Sequence, residues 1–157
     1  MSAEDVVERD EADVAADYIE ELLDIADLDG DIDIDDSGSR IVISVTASED
    51  PAGLRALAKP DTVSALQELT RLAVQARTGE FSRLILDIGG SRDQRAGELA
   101  ALVEAAVERI EAGAASAALP PMSSYERKLV HDLVAERGFA SESEGEGRDR
   151  HTVVRRA

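Results

Sequence analysis

Cysteine is absent from these 157 residues, which excludes disulfides, thiolate metal sites and cysteine nucleophiles, and suits a reducing compartment. Aromatics make up only 3% and tryptophan is missing, so cores must be built from Ala, Leu, Val and Ile. Base stacking on exposed aromatic platforms has few candidates. The two histidines, His131 and His151, lie on different expected elements without an obvious third ligand, so no zinc site is expected. No cofactor is expected either. Apolar runs stay far below the roughly 18 residues needed to span a bilayer, and the chain opens without a basic, apolar leader, so a cytoplasmic protein is expected.

Positive charge is scarce as well, with 17 Lys and Arg against 34 Asp and Glu and a net charge of −17. Affinity for phosphate is supplied largely by Lys and Arg, so the sum argues against a nucleic-acid binder. Its distribution reverses that argument. Residues 1–39 hold 16 acids against Arg9 alone, residues 40–119 hold 11 against 9, and residues 120–157 balance at 7 and 7. The acid is an N-terminal block, and the last segment gathers Arg127, Lys128, Arg148, Arg150, Arg155 and Arg156.

Residues 1–11 are acidic and poor in large apolar side chains, a composition that predicts disorder. Helical spacing of Val14, Tyr18, Ile19, Leu22, Leu23 and Ile25 predicts an amphipathic helix from Ala12 to about Leu28. Asp31 to Asp35 alternates acid with Ile32 and Ile34, the period of a half-buried strand, and Ser37-Gly38 turns it into a second strand, Arg40 to Thr46. The acidic run Asp27 to Asp36 is not a calcium loop, because Gly30 comes too early in it and no closing glutamate follows. After a short helical turn, Asp61 opens a helix to about Arg77 with Val63, Leu66, Leu69, Leu72, Ala73 and Ala76 inward. Phe81 to Ile88 reads as a central, covered strand. Gly89-Gly90 breaks it, and a Ser91/Gln94 capping box starts a helix carrying Leu99, Leu102, Val103, Ala106, Val107 and Ile110 to near Gly113.

The C-terminal stretch carries the sharpest punctuation. Pro120 and Pro121 block a helix, Ser123 and Glu126 form a capping box, and Gly138 stops the helix between. Tyr125, Leu129, Val130, Leu133 and Val134 fill one side of it, and Arg127 and His131, four apart, sit together at the rim. Phe139, Ser141 and Ser143 then alternate with Ala140 and glutamates, and Gly145 and Gly147 lead to a second strand, His151 to Arg155.

Arg-x-x-x-His on adjacent turns, with Pro-Pro-Met before it and Ser-Glu-Ser-Glu-Gly and Val-Val-Arg-Arg after it, resembles the R-3-H domain. The upstream order of helix, two strands, two helices, strand and helix resembles a type II KH domain. ALQELTRLAV at Ala65 to Val74 and RLILDI at Arg83 to Ile88 are similar to the KH half of the Jag family, also called SpoIIIJ-associated proteins, and the lead helix with the DGDIDID segment, Asp29 to Asp35, is similar to actinobacterial members. The resemblance implies an α+β chain: an acidic tail (1–11), a KH-like domain with helices on a three-stranded sheet (12–113), a linker (114–121) and a small R-3-H domain of helix plus hairpin (122–157). It also implies non-catalytic binding of single-stranded RNA or DNA, with a second small KH-domain protein as a partner and a regulatory role after transcription. Candidate contacts are Arg127, His131, Lys128, Arg148, Arg150 and Arg155.

One departure changes the expected division of labour. A KH domain grips nucleotides with a G-x-x-G loop whose glycines let the backbone approach phosphates. That place reads Leu57-Ala58-Lys59-Pro60-Asp61 here: no glycine remains, proline removes a donor and Asp61 repels phosphate. Binding is therefore expected to rest on the R-3-H half. An enzyme is not indicated, since Ser123, Ser124, Ser141 and Ser143 with His131 lack a nucleophile elbow or an orienting motif. The competing class is a protein-interaction module in which both halves have lost affinity for nucleic acid.

Overall fold

In the computed structural model, residues 3–157 are described in backbone and residues 11–157 in side chains. Contacts divide the chain after Asp93 into two compact units, and the fold class is α+β as expected.

The first unit opens with α1, Ala3–Ile25. The expected disorder of residues 1–11 does not hold from Ala3 on, while Met1 and Ser2 lie outside the described residues. Ala and Glu are strong helix formers, and carboxylates at a helix N-terminus are favoured by its dipole, so an acidic start suits this helix. Ala12, Ala15, Ile19 and Leu23, at helical spacing, are buried. Asp27 takes a positive φ of 55° and ends the helix before Leu28. β1 (Asp31–Asp35) and β2 (Val42–Thr46) form the expected antiparallel hairpin. At its turn the Asp35 carboxylate accepts from the Ser37 hydroxyl at 2.6 Å and the Ser37 N–H at 2.9 Å, bonds that hold its pKa below the usual aspartate range. That contribution to the turn is present above the ordinary range and is lost as pH falls through the depressed value. Burial of both isoleucines was expected on this strand, but Ile34 is 39% exposed and only Ile32 packs on the core.

A short α2 (Ala52–Arg55) leads to α3, Pro60–Thr78, which starts on Pro at its first position and stops on Gly79 at φ 79°. Its buried face is Leu66, Thr70 and Val74, whereas Leu69 and Leu72, expected inward, are 48% and 54% exposed. Two apolar stripes run along this helix, and the one containing Thr70 wins because the hydroxyl is satisfied locally by the Leu66 carbonyl at 2.6 Å. β3 is Ile85–Ile88 and pairs in parallel with β2. The strand order β1-β2-β3 makes it an edge strand, not the central one its apolar run suggested, though Leu84, Ile85, Leu86 and Ile88 are all buried.

The second unit begins within α4, Ser91–Glu111. The first turn of that helix is held by Asp87, whose carboxylate accepts from Arg92 N–H at 3.1 Å and from Ser91 Oγ, in place of the expected Ser91/Gln94 box. Leu99, Val103, Ala106, Val107 and Ile110 of α4 share one core with Ala117, Leu119, Val130, Val134 and Val154. The expected boundaries therefore shift: α4 packs with the C-terminal unit, and the expected linker 114–121 contains a strand, β4 (Ser116–Ala118). The small residues of this stretch read as a linker, but they fit a strand laid flat against β6. α5 spans Ser124–Glu136, β5 Phe139–Glu144 and β6 His151–Arg156, with a 3-10 turn at Gly147–Asp149. β6 lies between β4 and β5, antiparallel to both.

Candidate nucleic-acid interface

α5 is set by its N-terminus. Ser123 Oγ accepts from the Glu126 N–H at 3.3 Å, which is half of the expected capping box. The other half is replaced, because the Glu126 carboxylate takes two bonds from Arg95 of α4, at 2.8 and 3.2 Å. The Glu126 hydrogen bonds raise the Arg95 pKa above its usual range. This fork fixes the rotation of α5 about its axis and so the side from which Arg127 and His131 project.

Both functional candidates turn onto β5. Arg127 Nη1 donates to Ser143 Oγ at 2.8 Å and its Nε donates to the Met122 carbonyl at 3.3 Å. The His131 ring lies 3.0 Å from Ser143 Oγ through Nε2 and 2.5 Å from Ser141 Oγ through Nδ1. The match is geometric: four residues advance about 6 Å along a helix and two advance about 6.7 Å along a strand, so an Arg-x-x-x-His rung meets a Ser-x-Ser rung. A hydroxyl accepts and donates, so Ser143 accepts from Arg127 and still serves His131 in either protonation state. Among the described residues, Arg127 makes no hydrogen bond through Nη2.

The basic loop lies at the Arg127 end of this sheet. Met122, whose carbonyl Arg127 holds, donates its own N–H to the Arg150 carbonyl at 3.3 Å. Arg150 Nη1 donates to the Gly145 carbonyl at 2.9 Å, and Arg148 is exposed on the 3-10 turn. Gly145 has φ 85°, and a Cβ there would lie 2.9 Å from the Asp149 carbonyl oxygen, so the loop requires glycine. Lys128 is exposed one residue along from Arg127.

Arg155 stands apart from these. Pairing of Ser141 with Val154 and of Ser143 with Thr152 puts those four on one face of the hairpin, and alternation puts Arg155 on the other. There it bonds Glu144 at 2.8 Å and Glu142 at 3.5 Å. His151 is also off the site, with Nδ1 on the Asp149 carbonyl at 2.8 Å. Sequence reasoning put Ser141 and Ser143 on a strand and in the Ser-Glu-Ser-Glu-Gly motif and weighed them as nucleophiles, but did not pair them with Arg127 and His131. Their two-residue spacing opposite a four-residue pair was the available signal. Beside Ser143 in the register, Thr152 Oγ1 is buried and has no hydrogen-bond partner among the described residues.

In the first unit, Leu57 and Ala58 pack against the core, and Lys59 precedes α3 in extended conformation with its side chain exposed. This segment is a helix entrance closed by Pro60. Among the described residues, no group of three carboxylates and histidines is placed to hold a metal ion, and no helix is long and apolar enough to cross a membrane.

The arrangement of an Arg/His rung on a serine rung, over a three-stranded sheet carrying a glycine-built basic loop, defines the C-terminal unit as an R-3-H domain, and the R-3-H family model matches residues 97–156. That match takes in α4, in agreement with the packing. Beyond this unit, the chain is similar to bacterial proteins named RNA-binding protein KhpB. It is 25% identical over 143 residues to RNA-binding protein KhpB of Clostridium symbiosum, covering 90% of this chain and 64% of that one. It is 29% identical over 129 residues to RNA-binding protein KhpB of Bacillus subtilis strain 168 (79% and 60%), and 32% identical over 93 residues to that of Lactiplantibacillus plantarum (59% and 29%). The chain thus spans about three-fifths of the length of the first two relatives.

Proposed function

We propose that this chain binds single-stranded nucleic acid, RNA foremost, without catalysing a reaction, and does so mainly through the Arg127–His131 face of its R-3-H domain. The observation that carries the reading is the convergence of Arg127 and His131 on Ser143, which holds a guanidinium and an imidazole on one rung with N–H groups to spare. A phosphate is the ligand such a guanidinium fits, since it accepts from the planar donors of Arg127, while both ring nitrogens of His131 are engaged by Ser141 and Ser143 and hold the rung in place. Lys128, Arg148 and Arg150 add long-range attraction beside it. The names of the three relatives support RNA over DNA. The first unit is read as a KH-like module without its phosphate loop, and the resemblance to the Jag family supports a regulatory role after transcription in the cytoplasm.

A second reading, that the first unit meets a protein such as another small KH-domain chain, is favoured by one feature, the exposed Leu69 and Leu72 on α3. Titrating labelled single-stranded RNA and DNA against the intact chain at low and moderate salt tests the main proposal. Saturable, salt-sensitive binding that prefers RNA is expected. No binding at low salt would leave the protein-contact reading in place.

A further inference from the structure

β6 is the central strand of the second unit's sheet, and Thr152 sits in it fully buried. Its main chain is tied to both neighbours, since its carbonyl accepts from the Leu119 N–H at 2.9 Å and it stands opposite Ser143 of β5. Its hydroxyl has no hydrogen-bond partner among the described residues. Burying a hydroxyl unpaired is costly, and valine has the same shape without the polar atom. Val153 and Val154 follow directly in the strand, so packing gives no reason for a threonine here.

The reason lies one pair across. Ser143 Oγ is 2.8 Å from Arg127 Nη1 and 3.0 Å from His131 Nε2, and a hydroxyl has one proton and two lone pairs. While Nε2 is bare, Ser143 accepts from Arg127 and gives its proton to the ring, and Nδ1–H donates to Ser141. Once Nε2 carries a proton, as it does in an imidazolium, Arg127 and His131 together take both lone pairs, and the Ser143 proton needs an acceptor of its own. Thr152 Oγ1, unpaired and on the same face, is that acceptor. Directly opposed residues hold their Cβ atoms about 5 Å apart, a gap that two hydroxyls close when one of them turns about χ1.

We propose that Thr152 is a positioning residue of the rung, which takes the Ser143 hydroxyl proton when Arg127 and His131 both donate to Ser143 and so holds the pair in place against a phosphate. This role rests on the reading of the Arg127 face as the RNA-binding site. A phosphate on Arg127 is a negative charge close to the ring, and a nearby opposite charge favours the form of a histidine that donates from both nitrogens. Lys128 and Asp132, exposed on α5 around His131, oppose each other, and Glu142 and Glu144 bond Arg155 on the other face of the hairpin, so the phosphate is the charge that tips the ring. The complex thereby pairs a hydroxyl that the free protein leaves unpaired.

The test uses the full chain and polyuridine at low salt. Thr152→Val is expected to bind about threefold or more weakly, the effect of one modest hydrogen bond, yet to unfold at an equal or higher denaturant concentration, because it loses an unpaired hydroxyl. Thr152→Ser, which keeps the hydroxyl, is expected to stay within about twofold of wild-type affinity. In a Ser143→Ala background there is no serine proton to place, so Thr152→Val is expected to lower affinity no further. A full further loss in that background overturns the role, as does a loss of affinity matched by an equal loss of stability. NMR of the imidazole nitrogens in the wild-type complex decides alone if the valine variant does not fold: a proton on His131 Nε2 is expected, and a bare Nε2 overturns the proposal. Absence of RNA binding by the wild type removes the RNA reading and this role with it, whereas wild-type binding that Thr152→Val leaves unchanged removes the role alone.

Discussion

Ser143 is the residue on which the interface turns, because among the described residues it is the hydroxyl that both Arg127 and His131 reach. Replacing it by alanine removes an acceptor from one and a partner from the other, at a stability cost of about 1 kcal/mol for partly buried hydrogen bonds. Ser143→Ala is expected to weaken RNA binding about threefold or more by anisotropy titration, and Arg127→Ala roughly tenfold or more, about 1.4 kcal/mol. Arg155→Ala is the contrasting case: its partners are exposed glutamates on the opposite hairpin face, and surface pairs contribute little, so a change below about twofold is expected. Gly145→Ala tests the loop instead of the rung. A Cβ would press on the Asp149 carbonyl at a positive φ, and a loss of more than about 1 kcal/mol in denaturant unfolding is expected. Of these residues, Arg127 and His131 were legible in the sequence through their spacing taken together with the Pro-Pro-Met, Ser-Glu-Ser-Glu-Gly and Val-Val-Arg-Arg stretches around them. The serines were not, because their role depends on β5 running antiparallel to α5, and pairing across elements is not written in either segment.

At the scale of elements, the proposed phosphate contacts lie on the second unit, and the place of a KH phosphate loop in the first is built otherwise. The segment Leu57–Pro60 keeps its place at the entrance to α3, but Leu57 and Ala58 are committed to the core and Pro60 occupies the first helical position. Lys59→Ala is therefore expected to change RNA affinity by less than about threefold, where Arg127→Ala costs about tenfold; the reverse ranking in the same titration would restore the loop as a contact. The helices, the β1–β2 hairpin and the β5–β6 hairpin could be read from periodicity and punctuation, since those signals are local. Three features could not. β4 is three small residues that become a strand only because β6 offers an edge. α4 joins the second unit because its Leu99–Ile110 face complements Val130 and Val134, a choice between cores that one helix's period does not make. On α3, Leu69 and Leu72 are as apolar as the buried stripe, so the wheel alone could not choose between the two.

For the whole molecule, the issue is how a chain of net charge −17 approaches a polyanion. Three or four basic contacts at the R-3-H face release counterions, giving a log–log salt slope of roughly −2 to −3, at about −0.7 per contact on a single strand. Against this stands the acidic block of residues 1–39, which raises the cost of bringing phosphate near or competes for the basic groups, and either route lowers affinity. The structure fixes where that block can be trimmed. Ala12 is buried and Glu11 accepts from Ser82, so a cut before Glu11 keeps these two contacts while removing Glu4, Asp5, Glu8 and Asp10 together with Arg9. The shortened chain is expected to unfold at nearly the same denaturant concentration and to bind single-stranded RNA a few fold more tightly at low salt. Screening shortens the Debye length to about 8 Å at physiological ionic strength, so the advantage shrinks as salt rises. Equal or weaker binding at low salt would show that the acidic segment does not restrain nucleic-acid binding, and would leave it a role in solubility or in contact with a protein partner.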